Sequence, residues 1–136
     1  MNQSTVVGFL AVVLTTALGC GGADERPPLQ SVEGQVLFND QPVTEGTVTF
    51  EDAQTGAAST AELNAEGRYE LNVPDGTYQV TVAPPVVEVS SDPNSPPEQK
   101  FKDGANIPNK YRSAQSTDLS ATVSEETTTH DFKLAP

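Results

Sequence analysis

Tryptophan is absent from this 136-residue chain, and cysteine, histidine and methionine each occur once. One cysteine forms no disulfide within the chain. One cysteine with one histidine also falls short of the four ligands of a structural zinc site, so no metal or other cofactor is expected. Basic residues are scarce: 7 Lys and Arg stand against 19 Asp and Glu, a formal charge of −12. That sign is wrong for neutralising phosphates, and nucleic acid is not an expected partner. Beyond the amino terminus no stretch of ten or more residues keeps a 3.6-residue apolar period, so helices are not expected either. The length suits one domain of about 100–200 residues.

The amino terminus reads as a targeting segment. Residues 1–23 carry no charged side chain, and Val6 to Leu18 is apolar apart from Gly8, Thr15 and Thr16. The run is short of the ~20 residues a spanning helix needs. It fits the apolar region of a secretory signal, about 7–15 residues. It ends in Ala17-Leu18-Gly19-Cys20-Gly21-Gly22. Small residues, then Cys, then a flexible Gly pair resemble the lipobox of bacterial lipoproteins, although Ala17 stands where Leu is commoner and no Lys or Arg precedes the apolar run. The resemblance implies a signal peptide over residues 1–19, flanked at the cut by Ala17, Leu18 and Gly19, with diacylglycerol on the Cys20 thiol and further acylation (palmitate) of the new amino terminus. Gly21 rather than Asp after the Cys implies the outer membrane in preference to the inner one. An ordinary signal peptide, or a buried strand with a free thiol, is the alternative.

From Ala23 to Gln30 the chain is polar and holds Pro27-Pro28, which suits a tether over residues 20–30. Alternation then begins. Val32, Gly34, Val36 and Phe38 share one phase; Val48 and Phe50 another; Ala61 and Leu63 mark a weaker strand. Asn64 to Gly67 is a turn in which Gly67 can take a positive φ. Tyr69, Leu71 and Val73 alternate before Pro74-Asp75-Gly76, and Tyr78, Val80 and Val82 after it. Order returns with Leu119, Ala121 and Val123, then Thr128, His130, Phe132 and Leu134. Period-2 runs bounded by turn residues mark half-buried antiparallel strands. About seven of them over residues 31–136 predict an all-β fold, a seven-stranded antiparallel β-sandwich of Ig-like Greek-key type. The rhythm breaks over about residues 84–110, where Pro84 to Pro108 includes six of the 11 prolines. Val86, Val87 and Val89 there read as the continuation of an edge strand, and the rest as a long exposed excursion.

Two stretches resemble the carboxypeptidase regulatory-like domain. The first is Val32-Glu-Gly-Gln-Val36 followed by Asp40-Gln-Pro-Val43; the second holds Gly67-Arg-Tyr69 and Gly76-Thr-Tyr-Gln-Val80. The resemblance implies a prealbumin-like (transthyretin-like) sandwich. The tail, with Ile107-Pro-Asn-Lys-Tyr-Arg112 and Thr128-His-Asp-Phe-Lys-Leu134, is similar to the ending of small bacterial lipoproteins built on this domain. Such motifs concern turns and packing more than chemistry.

Few residues offer chemistry. His130 is in phase with Phe132 and Leu134, and no second His or evident nucleophile accompanies it, so a rim position outweighs proton transfer. Asp75, Asp92, Glu98 and Asp103 lie in expected loops, but calcium takes six to eight oxygens and no D-x-D-x-D spacing is present. Lys100, Lys102, Lys110 and Arg112 gather four of the 7 bases, either as a small anion-facing patch or as plain loop solubility. Tyr69 and Tyr78 fall in the apolar phase, leaving Tyr111, with Lys110 and Arg112, as a candidate ligand contact. The expectation is a non-catalytic, lipid-anchored envelope protein acting as a structural or protein-interaction module, held to the membrane by its lipid and meeting envelope proteins. A carbohydrate-binding module meeting envelope polysaccharide is the alternative, and a small transthyretin-fold hydrolase using His130 and Asp131 a lesser one.

Overall fold

The computed structural model describes residues 26–103 and 106–136. Ten strand segments and one short 3₁₀ turn make up its regular structure. In chain order they are β1 (Leu29–Phe38), β2 (Gln41–Pro42), β3 (Thr47–Asp52), β4 (Ala58–Glu62), β5 (Arg68–Pro74), β6 (Gly76–Ala83), β7 (Val86–Val89), β8 (Glu98–Phe101), the turn Asn109–Arg112, β9 (Leu119–Val123) and β10 (Phe132–Leu134). The leader and Cys20 lie outside the described residues.

Two four-stranded sheets form a sandwich. In the first, the long β1 pairs with β5 along Leu29–Gln35 and with β2 at its end, while β10 takes its other side. The second runs β4-β3-β6-β9 and is antiparallel throughout. The sandwich is the expected one, with two differences. Its strands outnumber seven because β2 and the β7–β8 pair add short segments. The β1–β10 pairing, Val36 opposite Phe132, is parallel; period-2 alternation sets which face a side chain takes and is blind to strand direction.

The inward phase of each strand meets the other sheet in one core. Val32, Val36, Tyr69, Leu71, Val73, Phe132 and Leu134 come from the first sheet; Val48, Phe50, Tyr78, Val80, Val82, Ala121 and Val123 from the second. Phe50, fully buried, lies at the centre. Its ring centroid is 5.9 Å from those of Tyr69 and Tyr78 and 6.1 Å from that of Phe132, within the range of favourable aromatic pairs. The anticipated turn at Asn64–Gly67 forms, with Gly67 at φ 71°.

Each buried tyrosine finds a backbone acceptor. Tyr78 Oη donates to the Pro74 carbonyl at 2.7 Å, four residues upstream, in the manner of the tyrosine corner of β-sandwiches. Tyr69 Oη donates to the His130 carbonyl at 2.6 Å. Burial, then the Asp131 carboxylate, raises the Tyr69 pKa far above its ordinary 10.0. Burial also raises that of Tyr78, followed by Asp52 and Asp75. A raised pKa means that the folded state holds the phenolic proton more tightly than the unfolded chain does. The stabilisation is therefore complete below pH 10 and is lost as pH climbs above it. Tyr69→Phe is expected to lower stability at neutral pH by about 1–2 kcal/mol, the cost of leaving the His130 carbonyl unpaired. The gap should narrow above pH 10, where only the wild type has a Tyr69 proton to lose. Urea titrations at pH 7 and 10.5 measure both; a constant gap would mean that this phenol does not carry the alkaline sensitivity.

Candidate interaction surface

The strands give the sandwich two dissimilar poles. At the Gly76 end of β6 lie the Pro74–Gly76 turn, the β3–β4 turn and Leu29, which sits opposite Pro74 where the chain enters β1. At the Ala83 end, Thr47 begins β3 and the chain passes through Pro84 and Pro85 into β7. The eight residues of β6 separate these poles by roughly 25 Å at ~3.3 Å per residue. The tether thus enters at one pole and the Pro-rich excursion leaves from the other.

That excursion is not a bare loop, and Val86, Val87 and Val89 do not extend a sandwich edge. They form β7, which pairs only with β8 in a separate two-stranded ribbon. Pro84 and Pro85 lack the N–H groups a continuing ladder needs, so the strand turns away. The ribbon leaves large apolar side chains in water: Val86 is 55% exposed, Phe101 45%, Val89 38% and Val87 36%. The Lys102 N–H donates to the Pro85 carbonyl at 2.8 Å, carrying the ribbon's own ladder one position past Val86 and Phe101. Two contacts tie the ribbon to the sandwich pole: Lys102 Nζ meets Glu45 at 2.6 Å, and the Arg112 guanidinium lies 5.8 Å from the Phe101 ring centroid. A groove of about 450 Å³ runs beside it, walled by Thr44, Glu45, Glu62, Pro85 and Val86. A second hollow of about 430 Å³ shares Val86 and adds Gln99, Lys100 and Phe101.

The anticipated contact at Lys110, Tyr111 and Arg112 is corrected by its surroundings. Tyr111 is only 2% exposed, and its Oη accepts the Ala135 N–H at 2.9 Å. Its ring is core, closing the pole together with buried Ile107, so it offers no face for stacking. The excursion thus ends before Ile107 rather than at 110. Apolar periodicity could not reveal this, because Tyr111 belongs to a single 3₁₀ turn whose neighbours are Lys and Arg. Those two bases are also occupied. Arg112 Nε and Nη2 both donate to the Ile107 carbonyl, at 3.0 and 2.7 Å. Lys110 Nζ lies 3.5 Å from Asp118 and 4.6 Å from the Tyr111 ring centroid. Lys100 pairs with Glu98 at 3.3 Å. The four clustered bases therefore make no free cationic patch.

His130 is half-buried, as its place at the rim suggested, but it precedes β10 rather than lying in it. Its backbone does the structural work: its N–H donates to the Glu33 carbonyl at 2.9 Å, while its carbonyl receives Tyr69 Oη. The ring stands edge-on to Phe50 at 6.3 Å, and Nε2 has no hydrogen-bond partner among the described residues. Asp131 Oδ1 accepts the Gln35 N–H at 2.9 Å. The neighbours of the lesser hydrolase reading thus serve as strand ties. Asp92 is a turn residue, its Oδ1 accepting the Asn94 N–H at 2.9 Å. Among the described residues no group of three or more His, Cys, Asp and Glu is placed to hold a metal ion, and no helix is long and apolar enough to cross a membrane.

No family model matches the sequence, and no curated protein matches it significantly. Among solved structures, the chain is similar to BcpA, the major pilin subunit of Bacillus cereus: 12% identity, TM-score 0.45, covering 80% of this chain and 30% of that one. A 9R-lipoxygenase from Cyanothece PCC8801 matches at 15% identity and TM-score 0.39, over 79% of this chain and 16% of the lipoxygenase. The chain spans less than a third of the length of either protein.

Proposed function

We propose that this chain is a lipid-anchored, non-catalytic envelope protein of the carboxypeptidase regulatory-like type, and that its sandwich presents the 86–101 ribbon to another protein. The polarity of the domain carries the reading. The tether enters beside Leu29 and Pro74, while the exposed Val86, Val87, Val89 and Phe101 stand at the opposite pole. An anchored domain so arranged holds its apolar ribbon away from the membrane that secures its other end. Apolar side chains on a projecting two-stranded ribbon have the composition of a protein contact, since isolated ribbons gain stability by adding strands or a covering surface. The acidic remainder of the surface keeps the domain soluble and apart from anionic neighbours. Polysaccharide binding is the weaker alternative: Tyr69, Tyr78 and Tyr111 are all buried, and Phe101 is the only exposed aromatic ring among the described residues.

Site-specific photo-crosslinking in the anchored chain tests this reading. A photoreactive side chain at Phe101 is expected to give protein adducts, whereas one at Gln54, in the β3–β4 turn of the tether pole, is not. Equal labelling at both positions, or none at Phe101, would defeat the proposal.

A further inference from the structure

The free edge of β8 is its own complement. β7 and β8 pair with each other and with no strand of the sandwich, so each keeps one unpaired ladder edge, a ready template for another strand. The register fixes what each edge offers. Val86 lies opposite Phe101, Val87 opposite Lys100, and Val89 opposite Glu98. The Lys102 N–H donates to the Pro85 carbonyl, which makes that position a hydrogen-bonded one. Such positions alternate with open ones along an antiparallel pair. Lys100 and Glu98 therefore turn their backbone groups toward β7, while Gln99 and Phe101 turn theirs outward. On β7 the outward groups belong to Val86 and Glu88.

A second copy approaching β8 antiparallel, about a two-fold axis at Gln99, meets these groups in register. Gln99 faces its own copy at a hydrogen-bonded position, where the two backbones exchange both bonds. The flanking positions set Glu98 against the second copy's Lys100, and Lys100 against its Glu98. Within one chain these two already sit 3.3 Å apart, so the pairing produces four charges of alternating sign. The registers centred on the other three outward-facing residues do less well. Centring on Phe101 sets Lys100 against Lys102, like charges directly opposite. On β7, centring on Glu88 sets that carboxylate against itself, and centring on Val86 drives the second copy into Pro84, which is fully buried. Each chain carries −12, so two copies repel except where their charges alternate, and the β8 edge is such a place.

We infer that β8 is a homodimerisation edge, whose partner is a second copy of this chain paired through Glu98–Lys100 about Gln99. This rests on reading the ribbon as an interaction surface, and it names the partner. Pro96 and Pro97 have no N–H to donate, and since each copy's Pro97 falls opposite the other's Phe101 they end the ladder on both sides. A two-fold contact closes on itself. The product is a four-stranded ribbon, β7-β8-β8-β7, whose outer edges carry Glu88 and discourage further growth.

The full chain, expressed with its own leader, is oxidised in place as Gln99→Cys and run on a non-reducing gel. Facing Cα atoms at a hydrogen-bonded position are ~5.5 Å apart, within the ~4.4–6.8 Å a disulfide spans. Gln99 is exposed, so the substitution leaves the fold intact. A band at twice the chain mass is expected for Gln99→Cys, and not for the wild type or for Glu88→Cys. Adding Lys100→Glu to Gln99→Cys should remove that band, and adding Glu98→Lys to both should restore it. No dimer from Gln99→Cys, an equal dimer from Glu88→Cys, or indifference to Lys100→Glu would overturn the inference. Cross-linking at Gln99→Cys to a species of different mass would also overturn it, yet would leave the ribbon standing as an interaction surface.

Discussion

Gly34→Ala is expected to cost about 3–5 kcal/mol, a large share of the ~5–15 kcal/mol that holds a domain folded. A Cβ at Gly34 would lie 1.8 Å from the His130 carbonyl oxygen, 2.7 Å from its carbon and 2.9 Å from Tyr69 Oη. Backbone is on both sides of the clash, so no flexible side chain can give way. The segment approaching β10 must back off from β1, and its ties go together. These are Glu33 N–H to the Thr128 carbonyl at 3.0 Å, His130 N–H to the Glu33 carbonyl at 2.9 Å, Gln35 N–H to Asp131 at 2.9 Å, and Tyr69 Oη to the His130 carbonyl at 2.6 Å. At ~0.5–1.5 kcal/mol net for each bond, the sum reaches the stated range. Gly76→Ala is the control. A Cβ there meets nothing closer than 3.6 Å, so that variant should stay within ~0.5 kcal/mol of the wild type. Urea midpoints of the two variants decide the matter: near-wild-type stability of Gly34→Ala would show that residues 128–131 do not cross β1 where they are placed.

Cys20→Ala is expected to have the largest effect on where the protein resides. If Cys20 carries a diacylglycerol and its amino group a further chain, their burial holds the protein at ~0.8 kcal/mol per CH₂, and more than one chain makes the attachment firm. Removing the thiol removes the acceptor for all of it. The variant should leave the membrane fraction nearly completely and take up no labelled palmitate. A variant still sedimenting with membranes would overturn the lipid anchor, while leaving the sandwich and its ribbon as they are. Fractionation should also resolve the membrane: with Gly21 after the Cys the outer one is expected, and recovery of the wild type with inner-membrane markers would overturn that expectation.

Much of the architecture can be read from local pattern. Val32, Val36, Val48, Phe50, Tyr69, Leu71, Val73, Tyr78, Val80 and Val82 alternate in sequence and are buried in the structure, because a strand with one wet face must alternate. The turns at Asn64–Gly67 and Pro74–Gly76 announce themselves through residues that tolerate the required backbone angles. Gly34 belongs to a motif visible in the sequence, yet the reason for a glycine there lies almost a hundred residues away, at His130.

Alternation thus determined that this chain is a sandwich, which strand side chains face its interior, and that a Pro-rich stretch interrupts it. These properties depend on residue type and spacing within a few positions. Tertiary structure decided the parallel docking of β10, the burial of Tyr111 and the pairing of β7 with β8 away from the sheets. Tyr111 shows why. Between Lys110 and Arg112 it has the neighbours of a surface residue, and only the arrival of Ala135 and the open pole of the sandwich bury it. The ribbon is similar: Val86, Val87 and Val89 have the composition of a buried strand. Whether they lie in the core depends on which strand they pair with, a choice made by two prolines and a partner segment nine residues beyond Val89.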